Sequence, residues 1–171
     1  MGSAARITAL AGFVAGCASM APSDMAAVAA LEPTTGNTAA GTVTFVPKGD
    51  KVVVTARVSG LAPGAHGFHI HEKGDCSSGD GMSAGGHFNP HGKPHGDPAM
   101  PDHHAGDMPV LVADGSGTAT LTAELDVITV GSGMGNVIGR SVIVHKDPDD
   151  FTTQPTGNSG ARVACGVIRR S

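Results

Sequence analysis

The stretch "AAGTVTFVPKGDKVVVTARVSGL" (39–61) constrains the fold more than any other. Apolar and polar residues alternate along it, which is the two-residue period of a half-buried strand. The alternation breaks once, at "PKGD", where Gly49 and Asp50 supply turn chemistry, so the segment predicts a β-hairpin. The same signature recurs. "MAAVAALEP" (25–33), "AHGFHIHEK" (65–73), "GRSVIVHK" (139–146) and "ARVACGVI" (161–168) each predict one strand, and "PVLVADGSGTATLTAELDV" (109–127) predicts two around "DGSG". Beyond the N-terminal apolar run, no stretch of more than ten residues has helical periodicity. The expectation is one all-β domain of about eight antiparallel strands, a sandwich or barrel. With no Trp, no Tyr and 3% aromatics, its core must come from Val, Ile, Leu, Ala and Met with a few Phe; Gly 26 and Pro 11 suit many turns and shaped loops.

Two segments interrupt this rhythm. Residues 74–106 run for over thirty residues without strand or helix pattern, and five of the nine histidines fall there. A structureless loop of this length is functional or disordered, and a metal ion could order it. The second, "DPDDFTTQPTGNSG" (147–160), is shorter and equally irregular. In "GFHIHEKGDC" (67–76), His69 and His71 are two apart on a strand and so share a face. His145 ends another predicted strand. His87, His95 and His104 are spread through the long loop, and Asp107 follows three after His104. A nitrogen-rich set with a carboxylate suits copper or zinc better than magnesium or calcium. Spacing alone leaves two readings open: a specific site, or a histidine-rich loop that binds metals loosely.

The N-terminus reads as an address. A single positive charge, Arg6, precedes "ITALAGFVAG", which is too short for a membrane-spanning helix of about 20 residues. It fits the apolar region of a secretory signal. The following "VAGC" resembles the bacterial lipobox, which would make 1–16 a removed signal, Cys17 the lipid-bearing N-terminus and 17–24 a tether, with the folded domain in 25–171. The other reading is an ordinary cleaved signal with a chance cysteine. Removing Arg6 takes the formal charge from -4 to -5. That balance, with no Lys/Arg stripe, excludes a general nucleic-acid binder. Once Cys17 is set aside, Cys76 and Cys165 remain as an even pair in an oxidising compartment. A bridge between them would close a loop worth roughly 4–5 kcal/mol on the chain-entropy scale; two unrelated buried thiols are the alternative.

The runs "GFHIHEKGDC", "AGGHFNP", "KPHG", "HAGD", "GRSVIVHKDPDD" and "GARVACGVI" together resemble the copper/zinc superoxide dismutase family, from about residue 30 to 169 and in the family's order. The resemblance implies an eight-stranded Greek-key β-barrel with long metal-binding and active-site loops, one copper and one zinc per subunit, and disproportionation of superoxide. It assigns His69, His71, His87 and His145 to copper, and His87, His95, His104 and Asp107 to zinc, with His87 bridging. Asp149 would hold the free nitrogens of His69 and His95. Arg162 would hold the small anion beside copper, with Arg162 and His87 as the catalytic pair, and Cys76–Cys165 would tie the loop to the last strand. His66 reads as a satisfied barrel histidine; His91 and His103 match no role and read as solvated loop residues.

The chain also departs from the resemblance. No lysine occurs from 147 to 161, where eukaryotic members carry steering lysines; Arg162, the copper and Lys146 are the local positives left. Cys76 stands only five after His71, in a reshaped loop that carries eukaryotic dimer contacts, so monomer and homodimer both stay open. Ala18 follows Cys17, without the Asp that favours the inner membrane in enteric bacteria. The expected location is therefore the outer membrane, facing the periplasm, with the lipid as the sole membrane contact. A copper or zinc buffer or chaperone of the same fold would need neither the bridge nor Arg162, and a structural envelope lipoprotein that kept the fold would show broken ligands, of which the sequence has none.

Overall fold

The computed structural model describes Met1 and residues 26–171. The expected signal, Cys17 and the tether lie outside the described residues, Met1 aside. Among the described residues ten strands occur: β1 Ala27–Pro33, β2 Ala40–Lys48, β3 Lys51–Ser59, β4 Gly64–His66, β5 Phe68–His71, β6 Leu111–Ala113, β7 Ala119–Leu125, β8 Ser141–His145, β9 Arg162–Val167 and β10 Arg169–Arg170. All pairings between them are antiparallel. Their order is β4-β6-β7-β3-β2-β1-β9-β8-β5, with β10 also on β1. The two ends of this path, β4 and β5, are one stretch of chain interrupted only at Gly67. The sheet therefore closes on itself into a barrel, leaving no long open edge. β9 and β10 are likewise one strand interrupted at Ile168. Ten strands less these two interruptions make the eight that the alternation predicts, joined as a Greek key.

The hairpin at 47–50 forms as expected: Lys48 pairs with Lys51 across Gly49 and Asp50. At the second hairpin, Asp114 Oδ1 accepts the Ser116 and Thr118 amides at 2.9 and 3.1 Å, an Asx arrangement that sets the turn. The barrel interior is aliphatic, built on Leu31, Val43, Phe45, Val54, Phe68, Ile70, Leu111, Val142 and Val144. Because alternation is strict, the neighbours of these residues point outward. On β5 and β8 the outward residues are also buried, since the two irregular segments fold over that outer face. Among the described residues the remaining secondary structure is a single turn of 3-10 helix, Met82–Ala84, in the long loop.

Candidate metal centre

Strand β5 sends Phe68 and Ile70 into the barrel and His69 and His71 to the covered outer face. Its partner on one side is β8, which delivers His145 just past a register shift at Val144. On its other side the long loop docks by backbone hydrogen bonds: Ile70 N–H to Gly106 O at 2.9 Å, Phe88 N–H to Ile70 O at 2.8 Å and Glu72 N–H to Gly86 O at 2.9 Å. These bonds place His87 opposite His71 and Asp107 opposite His69. The strand's free edge thus positions loop residues that are 16 and 38 positions from their partners.

Two groups result. His69, His71, His87 and His145 have ligand atoms within 4.8 Å of one another, as do His87, His95, His104 and Asp107; His87 belongs to both. All seven residues are buried. In the first group the outer nitrogens are committed. His71 Nδ1–H donates to Gly85 O at 2.9 Å, His145 Nδ1–H to Gly160 O at 3.2 Å and His69 Nε2–H to Asp149 Oδ2 at 2.7 Å. Each ring is left with a lone pair on its inner nitrogen. His71 Nε2 and His145 Nε2 then face each other at 3.4 Å, while His69 Nδ1 and His87 Nε2 are buried without a partner. Converging lone pairs repel unless a cation lies between them, so this donor set fits a nitrogen-preferring ion.

The second group centres on Asp107. Its carboxylate lies 2.9 Å from His87 Nδ1, 3.0 Å from His95 Nδ1 and 3.4 Å from His104 Nδ1. It also accepts the amides of Gly96 and His104 at 3.1 and 2.9 Å. Three imidazoles and one carboxylate, fully enclosed, match a closed tetrahedral zinc site. Asp149 joins the groups from behind, bonded to His69 and 3.2 Å from His95 Nε2. Such outer carboxylates fix the tautomers of ligating rings. Ser159 Oγ donates to Asp149 at 3.0 Å, and Gln154 brackets the His95 backbone from both sides.

The electrostatics follow from burial. It pushes the His87 imidazole down to about 4, although Asp107 acts the other way. Burial and then the His69 ring take His145 to about 3, and burial and the His87 ring hold His71 well below its usual value. These three rings are neutral and ready to ligate. For His95, burial is outweighed by Asp107 and Asp149, which push it up to about 10. Burial raises both carboxyls, but hydrogen bonds from His104, His87 and His95 hold Asp107 far below the carboxylate range, and those from His69 and His95 do the same for Asp149.

A cavity of ≈ 550 Å³ opens onto the first group, exposing His71, His87 and His145 at its floor and Arg162 on its wall. Arg162 donates to Gly81 O at 2.8 Å and Gly85 O at 2.7 Å. Gly85 O also takes the His71 proton, so one carbonyl ties the guanidinium to the histidine group. Cys76 and Cys165 are bonded, with Cα atoms 5.8 Å apart. With Ala84 and Ile143 they form a small apolar cluster that seats the loop on β8 and β9.

Every predicted site residue among those described reaches this region. His66 is buried with a backbone oxygen near each ring nitrogen, His145 O 2.9 Å from Nδ1 and Ala62 O 2.8 Å from Nε2, as a barrel histidine should be. His91 is exposed. Two expectations need correction. His103 is 7% exposed, with Nδ1 2.7 Å from His104 O; it is packed rather than solvated, because the loop folds back over it. Lys146 does not line the cavity; it follows His145 in the chain, and alternation turns it to the other side. Sequence reasoning missed the cavity's Thr34, Thr35 and Asn37, which sit in the β1–β2 connection and carried no motif.

Residues 39–168 match the family described as copper/zinc superoxide dismutase (SODC). Superoxide dismutase (Cu-Zn) 2 of Brassica juncea is 47% identical over 135 residues, 75% of this chain and 88% of the relative. A solved structure described as a crystal structure analysis of the clock protein EA4 superposes with a TM-score of 0.79 at 38% identity, covering 95% of this chain and 99% of that one. Coming after a closed eight-stranded barrel and two histidine groups that share one ring, these matches establish that the chain belongs to the copper/zinc superoxide dismutase family, an enzyme family whose cofactors are copper and zinc.

Proposed function

We propose that the chain disproportionates superoxide in the bacterial envelope, with copper held by His69, His71, His87 and His145 and zinc by His87, His95, His104 and Asp107. One observation carries the reading: four imidazole nitrogens, on rings of which three have tautomers fixed by outer hydrogen bonds, converge beneath a cavity that His71, His87 and His145 line and whose wall presents a guanidinium. Copper, when bound, supplies a one-electron couple between two superoxide ions, and zinc a fixed positive charge. The remaining work belongs to the protein. Arg162, its fork oriented by Gly81 O and Gly85 O, draws the anion in and holds it by charge-assisted hydrogen bonds. His87 Nε2 is the atom at which a proton is held and given up. His87 and Arg162 line the same cavity, which puts that proton beside the held anion. The balance is two superoxide ions and two protons to one dioxygen and one hydrogen peroxide.

Asp149 supports this reading by linking both groups, so that a shift in one ring is felt by the other. Lipidation at Cys17 and an outer-membrane location facing the periplasm rest on the "VAGC" pattern and Ala18. The test is superoxide decay followed by stopped flow on protein loaded with both metals. Fast decay that vanishes on copper removal is expected. Full loading with decay no faster than buffer overturns the reading in favour of a metal buffer. Mass spectrometry of the membrane-derived N-terminus tests the anchor: a diacylglyceryl mass on Cys17 is expected, and an unmodified residue refutes it.

A further inference from the structure

The cavity contains one feature that works against an anion-consuming site. Among the described residues Arg162 is the sole Lys or Arg on its wall, and Asp80 shares that wall. Asp80 Oδ1 accepts the Met82 amide at 2.9 Å, and that bond, followed by Ser78, holds its carboxyl below the usual range and therefore ionised. A fixed negative charge beside the only cation repels superoxide. Two residues on, Met82 also lines the cavity and is 60% exposed, a large apolar side chain left in water. The turn carrying both is rigid: Gly81 O and Gly85 O, on either side of Met82–Ala84, are both clamped by Arg162. The histidine group below is buried, so copper entering from the cavity passes this rim and must pass a guanidinium on the way.

A thioether and a carboxylate make sense together for a soft cation. Thioether sulfur selects copper(I) over harder ions, and a carboxylate offsets the repulsion between copper and Arg162. We propose that Met82 is a copper(I) capture ligand at the cavity mouth, taking the ion from an outside donor and passing it to the histidine group, with Asp80 neutralising the guanidinium's field along the path. The inference rests on the assignment of that histidine group to copper. The transfer is a ligand exchange: the ion leaves its donor as copper(I) and arrives as copper(I), and His69, His71 and His145 accept it through the free lone pairs on their inner nitrogens, while His87, its Nδ1 on zinc, keeps the proton on Nε2.

The test uses full-length, zinc-loaded, copper-free protein and the violet copper(I)–bicinchoninate complex, followed by stopped-flow absorbance with final copper per chain measured separately. Met82→Leu is expected to slow uptake about tenfold without lowering final copper, and Met82→His to restore the rate through another donor atom. Met100→Leu and Met134→Leu are controls, since these residues are 60% and 64% exposed but lie off the cavity wall; both are expected to match the unaltered protein. With the cationic copper(I)–acetonitrile complex as donor, and bicinchoninate added by rapid quench to report unbound copper, Asp80→Asn is expected to slow uptake about threefold at low salt, with the difference gone at high salt, as screening requires. Uptake by Met82→Leu within twofold of the unaltered protein overturns the proposal, as does equal slowing by Leu and His. Failure of the unaltered protein to reach one copper per chain overturns the histidine assignment itself and is thereby distinguished from failure of the capture step.

Discussion

Gly157 offers a quantitative test of the link between the two metal groups. Its φ is +69°, and it closes the turn in which Asp150 N–H bonds Gly157 O and Gly157 N–H bonds Thr153 O, each at 2.8 Å. A Cβ at this position would lie 1.8 Å from Asp149 Oδ1 and 2.5 Å from His95 Nε2. Gly49, in the β2–β3 turn, has a similar φ of +63° with nothing within 4 Å of its Cβ position. Alanine at either site costs about 1–2 kcal/mol for the left-handed backbone. At 157 the carboxylate must also retreat by roughly 1.5 Å to reach ordinary contact. That breaks its 3.0 Å bond from Ser159 and draws Oδ2 away from His69 Nε2, 2.7 Å distant. A hydrogen bond to a charged group contributes about 1.5–3 kcal/mol, so Gly157→Ala should destabilise metal-free protein by about 3 kcal/mol more than Gly49→Ala. Guanidinium denaturation measures both. The excess should shrink in an Asp149→Ala background, where only the milder approaches to His95 Nε2 at 2.5 Å and Asp150 O at 2.9 Å remain. Equal destabilisation at the two glycines, or an excess undiminished without Asp149, would refute the reasoning.

Three further outcomes are expected. Replacing Cys76 and Cys165 together by Ser reopens a loop of separation 89 and should lower the denaturation free energy by about 4–5 kcal/mol; a loss under 1 kcal/mol would mean that packing alone seats the loop. Arg162→Gln should reduce superoxide turnover at least tenfold, the equivalent of one charge-assisted bond, at unchanged metal content by elemental analysis; unchanged turnover would remove Arg162 from the mechanism. Metal-free protein should be most stable near neutral pH. His87 and His145, depressed to about 4 and about 3, stabilise fully above the unfolded value of 6.5 and lose that contribution as pH falls toward the folded values. His95, raised to about 10, stabilises fully below 6.5 and loses its contribution as pH rises to about 10. Thermal melts from pH 4 to 10 should trace both limbs, and bound zinc should flatten the alkaline one by replacing the His95 proton.

The strands were legible because alternation is a local property: Val43, Phe45, Val54 and Val58 mark the barrel face without reference to any other segment. The site residues were legible by resemblance more than by spacing. His69 and His71 announce a shared face, but nothing local brings His87, His95 or Asp107 to it. His103 shows the limit. Beside His104 in the chain, with the same composition around it, it packs against a backbone oxygen while its neighbour faces Asp107. Gly157 and Gly85 were equally silent, since the close approach that demands one and the shared carbonyl of the other exist only once distant segments meet.

The sequence by itself determined an all-β chain with an aliphatic core, the turns of its two hairpins and the inventory of donors, because period, turn chemistry and composition act over a few residues. Only the tertiary structure decided which donors meet. β5 holds the loop along its free edge through backbone bonds that any residues could make, and those bonds set His87 against His71 and Asp107 against His69. Burial then turned ordinary imidazoles into neutral ligands with fixed lone pairs. Both effects arise from desolvation and from contacts between residues far apart in the chain, which no local pattern encodes.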